Sequence, residues 1–207
     1  MDHRPVGNVS LQAFADAAEA FVRTVALVGD RWDAPGLGTW DVRALVGHTG
    51  RSLLTVEAYL ARPAAAVEVP SATAYYVATS ALAASAEVEA RGRAAGADLG
   101  EDPAAAVGVL AARVVPLVAA ADGDGLLTTA AGGMRLRDYL PTRTVELVVH
   151  TADLALALGL PPDPPPAAAR EALAVLAELA VTTGRAGPLL LAATGRPGAL
   201  PPGFSVL

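Results

Sequence analysis

The segment Arg143-Thr144-Val145-Glu146-Leu147-Val148-Val149-His150-Thr151-Ala152-Asp153 places a carboxylate and an imidazole four residues apart within a largely apolar run. Residues i and i+4 of an α-helix lie one above the other on the same face, so Glu146 and His150 point the same way. The surrounding pattern extends this helix over 136–158 and makes it apolar nearly all round, which is typical of a central helix. We therefore expect the pair, together with Arg143, to be withdrawn from water.

Composition excludes several classes of protein. The chain has 207 residues, enough for one domain with a sizeable core, and its net charge of −6 without a basic cluster argues against a nucleic-acid partner. It has no cysteine, which excludes disulfides and a thiolate nucleophile of its own, so any thiol chemistry would need an external thiol. The N-terminus lacks a signal sequence, and no run approaches 18 uninterrupted apolar residues. These features predict a soluble cytoplasmic protein without a membrane partner, as a monomer or homodimer.

Periodicity and capping signals predict an all-α chain. Asp41 is the N-cap of one helix, which ends at Arg62-Pro63. Asp102-Pro103 opens another that runs to about residue 121, in which Pro116 should introduce a kink or an early end. Further helices are expected over 9–27, 71–95 and 167–183, a short apolar helix or strand over 188–194, and a loop with short extended pieces over 126–134.

The plainest boundary in the chain is the proline-rich segment 159–166, which reads as a stiff linker. It predicts a helical bundle over 1–160 and a short C-terminal extension over 161–207 that packs on the bundle.

Only two other histidines occur in the chain, and one of them, His48, lies on the helix that follows Asp41. The helical period places His48 beside the apolar face, together with Ser52 and Tyr59, which is a position at the seam between helices. We therefore expect the fold to bring His48 towards the pair formed by Glu146 and His150.

A buried carboxylate beside an imidazole is costly unless something compensates its charge. Three compensations are open: an ion pair with Arg143, a hydrogen bond between Glu146 and His150, or a divalent metal that also binds His48. Imidazole and carboxylate suit zinc and similar ions, and three protein ligands leave one position open, as in catalytic sites. Asp153, one turn after His150, either fixes the tautomer of that histidine or lies on the helix surface.

The segment Asp122-Gly123-Asp124-Gly125 is similar to the start of a calcium-binding loop. The remaining oxygen ligands and the closing glutamate are missing, so an ordinary turn is the favoured interpretation.

Two separated motifs resemble those of the mycothiol-dependent maleylpyruvate isomerase family, whose members are DinB-like metal-binding helical bundles. Trp40-Asp41-Val42-Arg43-Ala44-Leu45-Val46-Gly47-His48 resembles the family motif Trp-x-Val-Arg-Asp-Leu-x-x-His. The segment from Leu136 to Leu154 resembles its second motif, and Leu189 to Arg196 is similar to a recurrent C-terminal motif of actinobacterial members. The resemblance covers residues 10–196.

This resemblance implies a DinB-like four-helix-type bundle with extra helices and a metal site at His48, Glu146 and His150, with zinc as the expected ion. It also implies mycothiol as a thiol cofactor, which the metal would activate. The expected activity is that of an isomerase or thiol transferase acting on a small electrophilic substrate, with Arg143, Asp153 and Ser52 as neighbours of the site.

One departure from the family concerns the C-terminal region. The characterised type of isomerase has a fuller α/β C-terminal domain, whereas this chain has only residues 161–207 after the bundle. Arg196 either supplies a cation for a carboxylate substrate or has a role at the end of a helix or on the surface. Two other readings therefore stay open: a non-catalytic metal-binding or regulatory protein, and a bundle whose polar triad is purely structural.

Overall fold

The fold is known from a computed structural model, which describes residues 6–83, 86–198 and 200–207. Within these residues eight α-helices and one hairpin are present, which confirms the prediction of an all-α, DinB-like bundle. In chain order the elements are α1 Val6–Val25, α2 Val42–Leu60, α3 Ala72–Ala83, α4 Ala86–Ala97, α5 Pro103–Ala120, β1 Leu126–Thr129, β2 Gly132–Arg135, α6 Leu136–Ala157, α7 Pro166–Thr182 and α8 Ala186–Ala193.

Helix α2 begins at the predicted cap. The carboxylate of Asp41 accepts a hydrogen bond from the backbone N–H of Ala44 at 2.7 Å, which satisfies one of the free donors in the first turn. The helix packs against α4, α5 and α6, and Leu45 and Leu53 are fully buried. Burial on several sides fixes the rotation of α2, and so the direction in which His48 points.

Helices α2 and α4 approach each other through glycine. A Cβ atom on Gly47 would lie 2.5 Å from the carbonyl carbon of Ala95, and one on Gly96 would lie 3.0 Å from Cα of Ala44. Real Cβ atoms do not come this close to backbone, so the crossing exists only because both positions lack a side chain.

Helix α6 is central, in contact with α1, α2, α3 and α7. Its predicted inward face is confirmed, since Leu140, Leu147 and Leu154 are at most 1% exposed. The second apolar stripe is only partly covered: Val145 is buried against residues of α3 and α7, whereas Leu156, near the end of the helix, is exposed. This placement sets Glu146 and His150 inside the bundle, as expected.

The hairpin formed by β1 and β2 leads into α6, so the extended pieces predicted within 126–134 pair as antiparallel strands. The turn before it is built by Asp122, whose carboxylate accepts from the N–H of Asp124 at 3.0 Å and whose carbonyl accepts from Gly125 at 2.9 Å. The carboxylate of Asp124 forms an ion pair with Arg137 at 2.6 Å. The segment is therefore a turn, as favoured over a calcium loop.

Two predicted helices differ in detail from those observed. The helix expected over 71–95 corresponds to α3 and α4, which pack on different partners: α3 on α6 and α7, and α4 on α2. Residues 84–85, between them, lie outside the described residues. Of the two effects expected of Pro116, an early end of α5 does not occur, since the helix continues to Ala120 with Val114 and Val118 buried on either side of the proline.

The C-terminal region contributes two further helices. The segment between Leu160 and Pro165 has no regular secondary structure, and α7 then packs on α1, α3 and α6. The short apolar element expected over 188–194 is a helix, α8, which packs on α7 and has no buried residue.

In the part of the chain that the structure describes, α5 is the one helix long and apolar enough to cross a membrane by length and composition. Core helices of soluble proteins pass the same test. Helix α5 packs on α1 and α2, and Val107, Val114 and Val118 are at most 1% exposed. One face of the helix is therefore part of the core of the bundle, while Val109 and Leu117 on other faces are exposed.

Candidate metal centre

Helices α2 and α6 bring His48, Glu146 and His150 together. One ligand atom from each residue can be chosen so that all three lie within 4.8 Å of one another. The rings of His48 and His150 meet edge to face with their centroids 4.8 Å apart, and Nε2 of His150 lies 3.4 Å from Oε2 of Glu146. All three side chains are half-buried. The site is therefore a small polar cluster at the seam between two core helices.

The orientation of the His150 ring is fixed by Asp153. Nδ1 of His150 lies 3.0 Å from Oδ2 of Asp153, and because a carboxylate only accepts, Nδ1 is the donor. Nε2 is thereby directed at Glu146. Two roles were open for Asp153, contact with His150 or a place on the helix surface, and the structure shows the contact with His150.

Glu146 has a partner that the sequence analysis did not identify. The hydroxyl group of Tyr76, on α3, lies 3.1 Å from Oε1 of Glu146 and 3.0 Å from the carbonyl oxygen of Thr142. Because α3 and α6 are far apart in sequence, no spacing rule connects the two residues. The available signal was the pair Tyr75-Tyr76 in an alanine-rich helix, since a buried tyrosine usually hydrogen-bonds through its hydroxyl.

His48 is held by Trp40, another contact that the sequence analysis did not foresee. The two rings have centroids 4.5 Å apart with an interplanar angle of 36°, and the indole N–H donates to the carbonyl oxygen of Glu89 at 3.1 Å. The indole fits against α4 because position 92 is glycine: a Cβ atom on Gly92 would lie 2.6 Å from Cε2 of Trp40. Helix α4 thus supports His48 through Trp40.

Arg143 does not form the ion pair with Glu146 that was one of the open compensations. Its guanidinium carbon lies 5.1 Å from the ring centroid of Tyr139 and 5.6 Å from that of Tyr75, and Nε donates to Oγ1 of Thr142 at 3.0 Å. The two aromatic faces hold the cation beside the site. Arg143 therefore acts on Glu146 only through its positive charge, which helps to lower the pKa of the carboxyl group.

The two remaining candidate residues lie apart from this cluster of contacts. Ser52 is buried on α2, one turn after His48, but its hydroxyl forms no hydrogen bond with any of the three clustered residues. Arg196 is exposed after α8 and donates to the carbonyl oxygen of Thr194 at 2.8 Å. This contact corresponds to the helix-end role that was one of its two interpretations.

The cluster has a defined charge pattern. Burial, and then the charge of His150, lower the pKa of His48 to about 4. Burial would also lower the pKa of His150, but the contacts with Asp153 and Glu146 outweigh burial and raise it to about 9. Burial opposes ionisation of Glu146, yet His150 and the charge of Arg143 lower its pKa to about 2. At neutral pH His48 is thus uncharged beside an ion pair.

The donor set fits a divalent metal ion. Nδ1 of His48 is buried and has no hydrogen-bond partner within the described part of the chain, although buried polar atoms are normally paired. The other two donors are an ionised carboxylate and an imidazole nitrogen, and a carboxylate fixes that imidazole from behind, as is usual for metal-binding histidines. Two imidazoles and one carboxylate form a ligand set typical of zinc with one position open.

Comparison with known proteins gives one match. No curated protein and no solved structure matches the chain. The family described as the mycothiol maleylpyruvate isomerase N-terminal domain matches residues 12–155, a span that runs from α1 nearly to the end of α6 and contains His48, Glu146 and His150. Since this match covers well over half of the chain, the protein belongs to the mycothiol maleylpyruvate isomerase N-terminal domain family.

Proposed function

We propose that His48, Glu146 and His150 bind a divalent metal ion, with zinc as the ion of choice. The observation that carries this proposal is the convergence of three ligand atoms within 4.8 Å from two helices. A purely structural triad would leave Nδ1 of His48 without a partner at a cost of about 1–3 kcal/mol, the usual penalty for a buried unpaired polar atom. Coordination of the ion by Nδ1 would supply the missing partner and remove this cost.

We further propose that the site uses mycothiol and acts as a thiol transferase or isomerase. The family name supports the choice of thiol, and the absence of cysteine from the chain is compatible with an external one. The ion, when bound, supplies Lewis acidity that lowers the pKa of a thiol and favours the nucleophilic thiolate. The chain's own residues hold the ligands in place: Asp153 fixes His150, and Trp40 supports His48.

The substrate in this proposal is a small electrophile in the cytoplasm, with no nucleic acid or membrane involved. In an isomerisation, the thiolate sulfur forms a bond to one carbon of an activated double bond, and the π electrons move to the activating group. Rotation about the resulting single bond and cleavage of the C–S bond return the electrons and release the thiolate. In a transfer, the C–S bond remains, the resulting anion takes up a proton from solvent, and the adduct is the product.

A second candidate function is that of a non-catalytic metal-binding or regulatory protein. The family match ends at residue 155, and the described residues beyond it form α7, α8 and a segment without regular secondary structure. Helix α8 buries none of its residues. A bundle that binds the metal ion without turning over a substrate is compatible with these observations.

The test has two steps. Metal analysis of protein purified without added zinc, and again after zinc incubation, should give one ion per chain; absence in both preparations would contradict the metal site. Mycothiol is then titrated into the zinc-loaded protein and into the metal-free protein. Binding to the loaded form alone supports the enzyme, whereas no binding at millimolar thiol would favour the non-catalytic alternative.

A further inference from the structure

The hydroxyl group of Tyr76 contacts α6 at two points, one on Glu146 and one on Thr142. It lies 3.1 Å from the carboxylate oxygen Oε1 and 3.0 Å from the carbonyl oxygen of Thr142, which by α-helix geometry also accepts the backbone N–H of Glu146. One group on α3 therefore restrains both the side chain and the local backbone of this residue.

The two oxygens of the Glu146 carboxylate have different partners. Oε1 faces the hydroxyl of Tyr76, and Oε2 lies 3.4 Å from Nε2 of His150. The hydroxyl has one proton and two acceptors within reach, and donation to the ionised carboxylate is favoured over donation to the Thr142 carbonyl oxygen because a charge-assisted hydrogen bond is stronger than one to a neutral acceptor. The ring of Tyr76 packs against the buried cluster of Ala72, Val145, Ala172 and Val175, so the tyrosine has little freedom to withdraw.

We infer that Tyr76 is a positioning residue that holds Oε1 of Glu146 and leaves Oε2 as the only carboxylate oxygen for the metal. This inference rests on the proposed metal site and adds the way in which Glu146 binds. Because Oε1 faces α3 and Oε2 faces His150, binding through both oxygens would require the carboxylate to turn and its contact with Tyr76 to lengthen. One bound oxygen keeps the protein ligands at three donor atoms, which preserves an open position for an external thiol.

The experiment compares zinc affinity in the wild-type chain, Tyr76→Phe and the control Tyr59→Phe. Tyr59 lies on α2 with its ring 5.4 Å from that of Tyr139, and its hydroxyl has no hydrogen bond to the site. Competition with a chromogenic chelator should show zinc binding about tenfold weaker in Tyr76→Phe, the low end for loss of a residue that orients a metal ligand. Tyr59→Phe should bind zinc like the wild type, and equal affinity in all three proteins would overturn the inference.

A second readout separates positioning of the carboxylate from general loosening of the fold. The visible absorption of the cobalt(II)-loaded protein depends on coordination number, and Tyr76→Phe should show the weaker bands of a higher-coordinate ion. Unchanged bands together with weaker binding would contradict the positioning role.

If Tyr76→Phe does not fold, a crystal structure of the zinc-loaded wild type decides the matter. Zinc held through Oε2 alone supports the inference, and zinc held through both oxygens overturns it. If the wild-type chain binds no zinc, the proposed metal site itself fails, and this result is distinct from equal affinities in the three proteins.

Discussion

Oδ2 of Asp153 lies 3.0 Å from Nδ1 of His150, and this contact determines which ring nitrogen faces Glu146. The two residues are one turn apart on α6, so the helix itself provides the contact. A carboxylate on the far nitrogen raises the basicity of an imidazole and fixes its ring orientation. The first expected outcome follows from removing that charge.

Asp153→Asn should lower the pKa of His150 below its value of about 9, because the amide keeps a hydrogen-bond acceptor but loses the negative charge. NMR titration of the imidazole protons measures the change, and a chain with three histidines makes the assignment direct. Zinc affinity should fall by about tenfold. Asp163→Asn, in the exposed linker, is the matched control, and an unchanged pKa of His150 in Asp153→Asn would contradict the assignment.

His48→Ala should reduce zinc affinity by more than about 100-fold, because loss of a ligand exceeds the effect of losing a residue that orients one. Helix content measured by circular dichroism should stay largely intact, since the core residues of α2 are separate from this side chain. His3→Ala, which removes a histidine distant in sequence from the site, serves as the control. Wild-type affinity in His48→Ala would show that His48 is not a ligand.

The parts of the site within one helix could be predicted from the sequence. Glu146, His150 and Asp153 follow helical spacing, and the caps at Asp41 and Asp102 mark helices that the structure has. These predictions depend on interactions between residues a few positions apart, where the geometry of the helix leaves little choice.

Contacts between helices could not be predicted in the same way. Tyr76 and Trp40 reach the site because α3 and α4 pack where they do, and that packing depends on side-chain volumes along whole helices. Gly92 and Gly96 show the difficulty: in the sequence they suggest weak helix positions, whereas in the fold they admit an indole and a neighbouring backbone. Arg143 combines the two cases: Tyr139 lies one turn earlier on α6 itself, whereas Tyr75 comes from α3.

The stability of the metal-free protein should depend on pH through the two histidines. His48 has a folded pKa of about 4 against an ordinary 6.5, so between these values the unfolded chain binds more protons and stability is lost as the pH falls. His150 has a folded pKa of about 9, so its contribution is complete below 6.5 and is lost as the pH rises towards 9. Chemical unfolding at a series of pH values should therefore give maximal stability near pH 6.5.

The acid side of that profile has its own control. In His48→Ala the loss of stability that this histidine causes between pH 6.5 and 4 should disappear. The loss of stability between pH 6.5 and 9 should persist, because His150 remains. An identical profile in the wild type and the variant would show that His48 does not titrate as described.

Gly47→Ala should destabilise the fold and weaken the metal site together. The added methyl group would lie 2.5 Å from the carbonyl carbon of Ala95, so α2 must move away from α4. Strain of this kind costs about 1–3 kcal/mol, which urea unfolding measures. Because His48 is the next residue, the same displacement should weaken zinc binding in the folded fraction.

Gly50→Ala provides the matched control one turn further along α2. Its methyl group would meet only Cδ2 of Leu110, at 3.8 Å, which is an ordinary contact. Removing a glycine from a helix interior stabilises by about 0.5–1 kcal/mol, so this variant should be as stable as the wild type or more so. If the free energy of unfolding falls in Gly47→Ala and rises in Gly50→Ala, the effect lies in the crossing of α2 and α4. Equal destabilisation by the two substitutions would place the effect in helix α2 alone.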